Sequence, residues 1–104
     1  LSRAWIEVAS GKLKGTEFIL DKFLKKSGPS VILGSDALKA DIVFPDPDVD
    51  PQHAMLTGTG THFLLKDMSH AGTYVESRKV EQTQLYDRQQ IRLGNTLLVY
   101  HEKR

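Results

Sequence analysis

Residues Asp41 to Tyr74 read DIVFPDPDVDPQHAMLTGTGTHFLLKDMSHAGTY, and the fold turns on how this stretch is punctuated. Asp41-Ile42-Val43-Phe44 is a short apolar strand. Pro45-Asp46-Pro47-Asp48-Val49-Asp50-Pro51 cannot continue it, because three prolines in seven residues remove backbone donors and fix φ. An exposed loop is expected there. Ala54-Met55-Leu56-Thr57 and His62-Phe63-Leu64-Leu65-Lys66 then read as strands joined by a hairpin turn over Gly58 to Gly60. After Asp67-Met68-Ser69-His70-Ala71, a further strand begins at Gly72-Thr73-Tyr74-Val75.

Working outward, the same pattern covers the rest of the chain. Ala4 to Ala9 and Thr16 to Leu20 mix aromatic and β-branched residues around a Gly11–Gly15 turn, which predicts two strands. Asp21 to Pro29 is polar, basic and closed by Gly-Pro, so it reads as a loop. Lys22, Lys25 and Lys26 in it are candidates for phosphate contact, but a solvated loop is the simpler expectation. Ser30-Val31-Ile32-Leu33 is a buried-looking strand closed by Gly34, and Ser35 to Lys39 is long enough for one helical turn capped by Ser35 or Asp36. Gln90 to Leu93 and Thr96 to Tyr100 end the series, joined at Gly94-Asn95. About ten to eleven strands with no amphipathic helix predict an all-β antiparallel sandwich, in which loops at the ends of the sheets carry recognition. Trp5 reads as core, while Tyr74, Tyr86 and Tyr100 read either as core or as exposed anchors.

Composition narrows the function classes. The 104 residues suit one domain, with 14 basic against 13 acidic side chains and a net charge of +1. That balance supplies no nucleic-acid footprint and no adhesive for anionic lipid. No cysteine is present, which excludes a disulfide frame, a thiolate metal site and a cysteine nucleophile, and fits a reducing compartment. Apolar runs are a few residues long, against the roughly 20 a spanning helix needs. The chain begins at Leu1 without an initiator Met or a signal-peptide pattern, so the expectation is one domain over residues 1–104, excised from a longer protein that itself has room for a membrane span.

No enzyme chemistry is expected. Ser69 and Thr73 lack a base and an acid in any triad-like order. His53, His62, His70 and His101 lack the spacing of metal ligands, so neither a metal nor a cofactor is expected. Asp46, Asp48 and Asp50 alternate like a calcium loop, yet the interleaved prolines and the absence of that loop's Gly and Glu leave solvated charge as the expectation.

These residues in this order resemble the forkhead-associated (FHA) domain. The resemblance rests on Gly34 after a strand, Asp41-Ile42-Val43, the His53-Ala54 step, Asp67 to Thr73, and Gln90 to Gly94. It implies a β-sandwich whose loops bind phosphothreonine peptides through Gly-Arg, Ser-Arg-x-His and Ser-x-Asn-Gly. In this chain those three motifs read Gly34-Ser35, Asp50-Pro51-Gln52-His53 and Ser69-His70-Ala71-Gly72. The implied scaffold positions Gly34, His53 and Gly72, which brace the loops, are kept. The implied ligand positions are changed: Ser35 stands for the Arg that grips the peptide, Asp50 for the Ser that bonds the phosphate, and Ala71, beside His70, for the Asn that bonds the peptide backbone.

Magnitudes decide what the changes mean. Hydrogen bonds to charged groups contribute about 1.5–3 kcal/mol each, so losing two or three removes roughly 4–8 kcal/mol. A micromolar complex has about 8 kcal/mol in total. A negative charge about 5 Å from a nearly dianionic phosphate adds roughly 2–6 kcal/mol of repulsion before salt screening. The expectation is therefore a phosphate-independent interaction module. Degenerate domains of this kind are typical of the YscD/CdsD/PrgH family of type III secretion inner-membrane ring proteins, and Gly34-Ser35-Asp36 with Ala40-Asp41-Ile42-Val43 is similar to the chlamydial CdsD type. That resemblance implies a cytoplasmic structural component whose partners are other copies of itself or other ring proteins, with no membrane contact from the domain itself. The competing reading is a phosphothreonine-peptide binder that uses other cations, such as Lys39, Lys66 or Arg78.

Overall fold

The computed structural model describes residues 3–104. The strands are β1 (Arg3–Val8), β2 (Glu17–Ile19), β3 (Ser30–Gly34), β4 (Ile42–Val43), β5 (Ala54–Gly58), β6 (Phe63–Asp67), β7 (Thr73–Val75), β8 (Arg78–Val80), β9 (Gln82–Gln84), β10 (Gln90–Leu93) and β11 (Thr96–Lys103). They form two sheets, one of six strands in the order β2-β1-β11-β10-β7-β8 and one of five in the order β4-β3-β5-β6-β9. This is the predicted sandwich. Every pairing is antiparallel except β3 with β4, where Leu33 lies beside Ile42 in a parallel pair at the sheet edge. The chain returns there within a few residues because Asp41 substitutes for a strand partner: its N–H bonds the Ile32 carbonyl, and its Oδ2 accepts the Ile32 N–H at 2.8 Å.

The core follows from period-two alternation, which sends every second side chain of a strand inward. Ala4, Ile6 and Val8 of β1 face Val31 and Leu33 of β3, Leu56 of β5 and Leu65 of β6 in one buried cluster, closed by Ile91, Leu93, Leu98 and Tyr100. Loops contribute too. Phe44, just past β4, is buried, and so is Val49 of the proline-rich segment, which therefore folds back on the sandwich rather than standing fully exposed as expected.

Three further local readings are corrected. Leu20 to Phe23 form a short 3-10 turn with Leu20 buried, where a strand end and a loop were expected. Lys25 is not merely solvated, since its Nζ lies 2.8 Å from Asp41 Oδ2. Trp5 stands on the outer face of the six-stranded sheet, stacked on His101 with ring centroids 5.0 Å apart, because the inward places on β1 go to Ala4, Ile6 and Val8. Of the tyrosines, Tyr100 is core, Tyr86 is exposed and Tyr74 is half-buried on an outer face. Among the described residues no helix is long and apolar enough to cross a membrane.

Candidate functional site

Three connections converge at one end of the sandwich: segment 35–41 after β3, segment 44–53 between β4 and β5, and segment 68–72 between β6 and β7. His53 ties them together. It is fully buried, its backbone N–H bonds the Leu33 carbonyl, and its own carbonyl accepts the Met68 N–H, both at 2.8 Å. Its ring Nδ1 accepts the Asp50 N–H at 3.0 Å, which makes Nε2 the protonated nitrogen of a neutral ring. Nε2–H then donates to the Gly72 carbonyl at 2.9 Å. With both nitrogens committed to backbone, no lone pair or proton is left for chemistry.

Glycines set the close approaches. At Gly34 a Cβ would run into the Pro51 carbonyl, so only glycine lets β3 pass beneath the segment that carries Asp50. Gly72 has φ +105°, a conformation that favours glycine, and a Cβ there would sit 2.7 Å from Lys79 Cε. Segment 68–72 is otherwise held by Asp67. Its Oδ1 accepts the Ser69 N–H at 3.0 Å, the Ser69 hydroxyl at 2.7 Å and the Thr73 hydroxyl at 2.8 Å. Burial raises the Asp67 pKa, but these bonds outweigh it and the net shift is downward. Both hydroxyls that a hydrolase would need are thus spent on a carboxylate.

Asp50 is the residue that decides the chemistry. Its Oδ2 accepts the His70 backbone N–H at 2.8 Å and lies 3.1 Å from His70 Nδ1. Its carbonyl accepts the Ser35 N–H at 3.0 Å. The pKa of Asp50 is lowered, first by the His70 N–H and then by the His70 ring, against a smaller opposing effect of burial. An anion that needed the His70 N–H would meet a carboxylate already holding it. The His70 side chain is 97% exposed, so its ion pair with Asp50 is solvent-screened and the backbone bond is the durable part. Ser35 is half-buried, Ala71 is exposed, and Leu38 and Met68 are exposed apolar neighbours on the same loops.

The acidic run lies at the surface, with Asp48 exposed, but its carboxylates also fasten loops, which the sequence reading did not anticipate. Asp46 Oδ1 accepts the Asp48 N–H at 2.9 Å, and Asp46 Oδ2 accepts the Asn95 N–H at 2.9 Å and the Thr96 hydroxyl at 2.7 Å. Asp48 Oδ2 accepts from the Asn95 amide at 2.6 Å. For Asp46 the desolvation that raises its pKa is overcome by these bonds. Among the described residues no group of three His, Asp or Glu side chains is arranged to hold a metal. Asn95, Thr96 and Asp67 escaped the sequence reading. The Asp-x-Ser spacing of Asp67 and Ser69 is an Asx-turn signal that points to Asp67, whereas nothing local links Asp46 to a turn 49 residues away.

The cations considered for phosphate contact do not gather. Lys39 is on segment 35–41, Lys66 faces outward from the five-stranded sheet, and Arg78 is on the edge strand of the other sheet.

Comparison with known proteins places this geometry. The family model for the FHA domain matches residues 31–94. The solved FHA domain of the CT664 protein from Chlamydia trachomatis is 35% identical, with a TM-score of 0.84 over 99% of this chain and 100% of that one. A structure from an analysis of phosphothreonine-dependent FHA domain interactions is 26% identical, with a TM-score of 0.85 over 99% of both chains. The cytoplasmic domain of the type III secretion sorting platform protein PscD from P. aeruginosa is 21% identical, with a TM-score of 0.77 over 95% of this chain and 79% of that one, a likeness of fold. Comparison with curated protein sequences gives no match.

Proposed function

The chain belongs to the FHA domain family of protein–protein interaction modules, and on that premise we propose that it is a phosphate-independent member, a rigid building block that binds protein through its faces. The observation that carries this is the Asp50–His70 bond at 2.8 Å, which sets a carboxylate among the loops and occupies a backbone donor that an incoming anion could otherwise use. The scatter of Lys39, Lys66 and Arg78 over separate elements supports it by leaving no replacement cluster on the loops. We propose further that the domain is part of a longer protein at the cytoplasmic face of a membrane and serves in a type III secretion inner-membrane ring, against other copies of itself or other ring components. The retained sandwich with altered ligand positions, the Gly34-Ser35-Asp36 and Ala40-Asp41-Ile42-Val43 wording, and the fold shared with PscD support that assignment.

Titration with an oriented phosphothreonine peptide library and its unphosphorylated counterpart tests the first part. No phosphate-dependent binding is expected, and a tight phosphate-dependent peptide would overturn the reading. Deleting the domain from its parent tests the second, with loss of ring formation and secretion expected. Assembly that proceeds unchanged would remove the ring assignment.

A further inference from the structure

The outer face of the six-stranded sheet carries a feature separate from the loops. Tyr74 of β7 sits between Lys79 of β8 and Arg92 of β10, its direct cross-strand neighbours. All three point outward, because Thr73, Val75, Ile91 and Leu93 take the buried positions. The Arg92 guanidinium lies over the Tyr74 ring, 4.2 Å from its centroid, and its NH1 donates to the Gly94 carbonyl at 3.3 Å. The stem of Lys79 rests against Gly72. Arg92 is thus seated on an aromatic platform, while the Lys79 stem runs beside Gly72 and leaves its ammonium exposed.

Neither is neutralised. Among the described residues, Lys79 and Arg92 enter no ion pair. Other exposed cations, Lys66 and Arg78 among them, also enter no ion pair, so what distinguishes this pair is its placement on either side of one tyrosine. Glu76, the nearest acid along β7, turns its carboxylate to the Gln90 N–H at 2.7 Å. The result is two cations two strand spacings apart, about 10 Å, flanking a half-buried tyrosine.

We propose that the Lys79–Tyr74–Arg92 row is a docking surface for an acidic segment of a partner protein. The guanidinium offers a fork of donors to one carboxylate, the ammonium takes a second, and the tyrosine edge receives the aliphatic stems between them. Charge complementarity selects this occupant: two unpaired cations flank one tyrosine here, while a net charge of +1 overall gives no extended basic footprint for nucleic acid. The surface adjoins segment 68–72 at Gly72 but uses none of Ser35, Asp50 and Ala71, so substitutions at those three positions leave it in place.

The test is titration of the isotope-labelled domain with a deca-glutamate peptide at low salt, read by amide shifts and by anisotropy of a labelled peptide. Shifts are expected on β7, β8 and β10. Lys79→Gln and Arg92→Gln should each weaken binding about tenfold, in line with the loss of one charge-assisted bond. Lys66→Gln on the other sheet should change it less than about twofold. All three side chains face outward, so melting curves should stay close to the parent's; if a variant misfolds, the shift map on the unaltered chain decides. Absence of binding, equal weakening by Lys66→Gln, or shifts centred on segments 35–41 and 68–72 would overturn the proposal. So would shifts that grow with protein concentration alone, the mark of a second copy on this face, or binding confined to phosphatidylserine vesicles.

Discussion

His53 shows how much one side chain can settle. Its ring bonds Asp50 N–H on one side and Gly72 C=O on the other, with no water access. His53→Ala should leave a buried donor and a buried acceptor without partners, each costing about 1–3 kcal/mol. Urea unfolding should therefore show a loss of about 2–6 kcal/mol, and a loss under about 1 kcal/mol would mean that the two loops do not depend on the ring. Asp50 works at the same scale in the opposite sense. A serine there would offer a hydroxyl to an incoming anion, whereas the carboxylate accepts the His70 N–H itself.

At the scale of elements, the turns carry the information. The β7–β8 connection places Glu76 at φ 50° and Ser77 at φ 65°, consecutive left-handed residues in a turn that favours Asn-Gly. Glu76 is secured by Gln90 through both its backbone and its carboxylate. Ser77 has no such bond, so Ser77→Gly should raise stability by about 0.5–1 kcal/mol, measurable as a higher urea midpoint. A lower midpoint would show that the chain entropy added by glycine outweighs the relief of strain. The loops yield a second expectation. Because Ser35 N–H still bonds Asp50 C=O at 3.0 Å, segments 35–41 and 44–53 are held in mutual register. Ser35→Arg with Asp50→Ser and Ala71→Asn should accordingly produce phosphothreonine-dependent peptide binding detectable by calorimetry, and no gain would show that loop shape has drifted along with the side chains. Strand assignment was legible where alternation is strong, as in β1, β5, β6 and β11. It failed at β8 and β9, Arg78-Lys79-Val80 and Gln82-Thr83-Gln84, since outer strands with one apolar residue between them carry no periodic signal.

Across the whole molecule, three lowered carboxylates hold the connections together: Asp46 reaches the β10–β11 turn and Asp50 reaches segment 68–72, both distant in sequence, while Asp67 ties the adjoining segment 68–72 to the start of β7. A carboxylate with a depressed folded-state pKa stabilises the fold above its unfolded value, near 3.9, and that contribution disappears as pH falls through the folded value. The part of the stability that these three carboxylates supply should drop steeply below about pH 4. Asp67→Asn should flatten that drop, because one titrating group is gone. Wild type and variant losing stability in parallel between about pH 5 and pH 3 would contradict this assignment. Trp5 and Tyr74 belong to this scale as well. Alternation with Ala4 and Ile6, and with Thr73 and Val75, already marks both as outward, and hydrophobicity alone misleads for Trp5.

What the sequence determined by itself was the class of fold and the residue types that stand at the loop positions the resemblance marks. Both are local quantities: strand periodicity, proline and glycine punctuation, and residue type at Ser35, Asp50 and Ala71. What only the tertiary structure decided was how those residues are used. Asp50 meets His70 across 20 residues, Asp46 meets Thr96 across 50, and Lys79 and Arg92 become neighbours of one tyrosine through strand order. A hydrogen bond acts over about 3 Å, and only the packed sheets bring such distant segments that close.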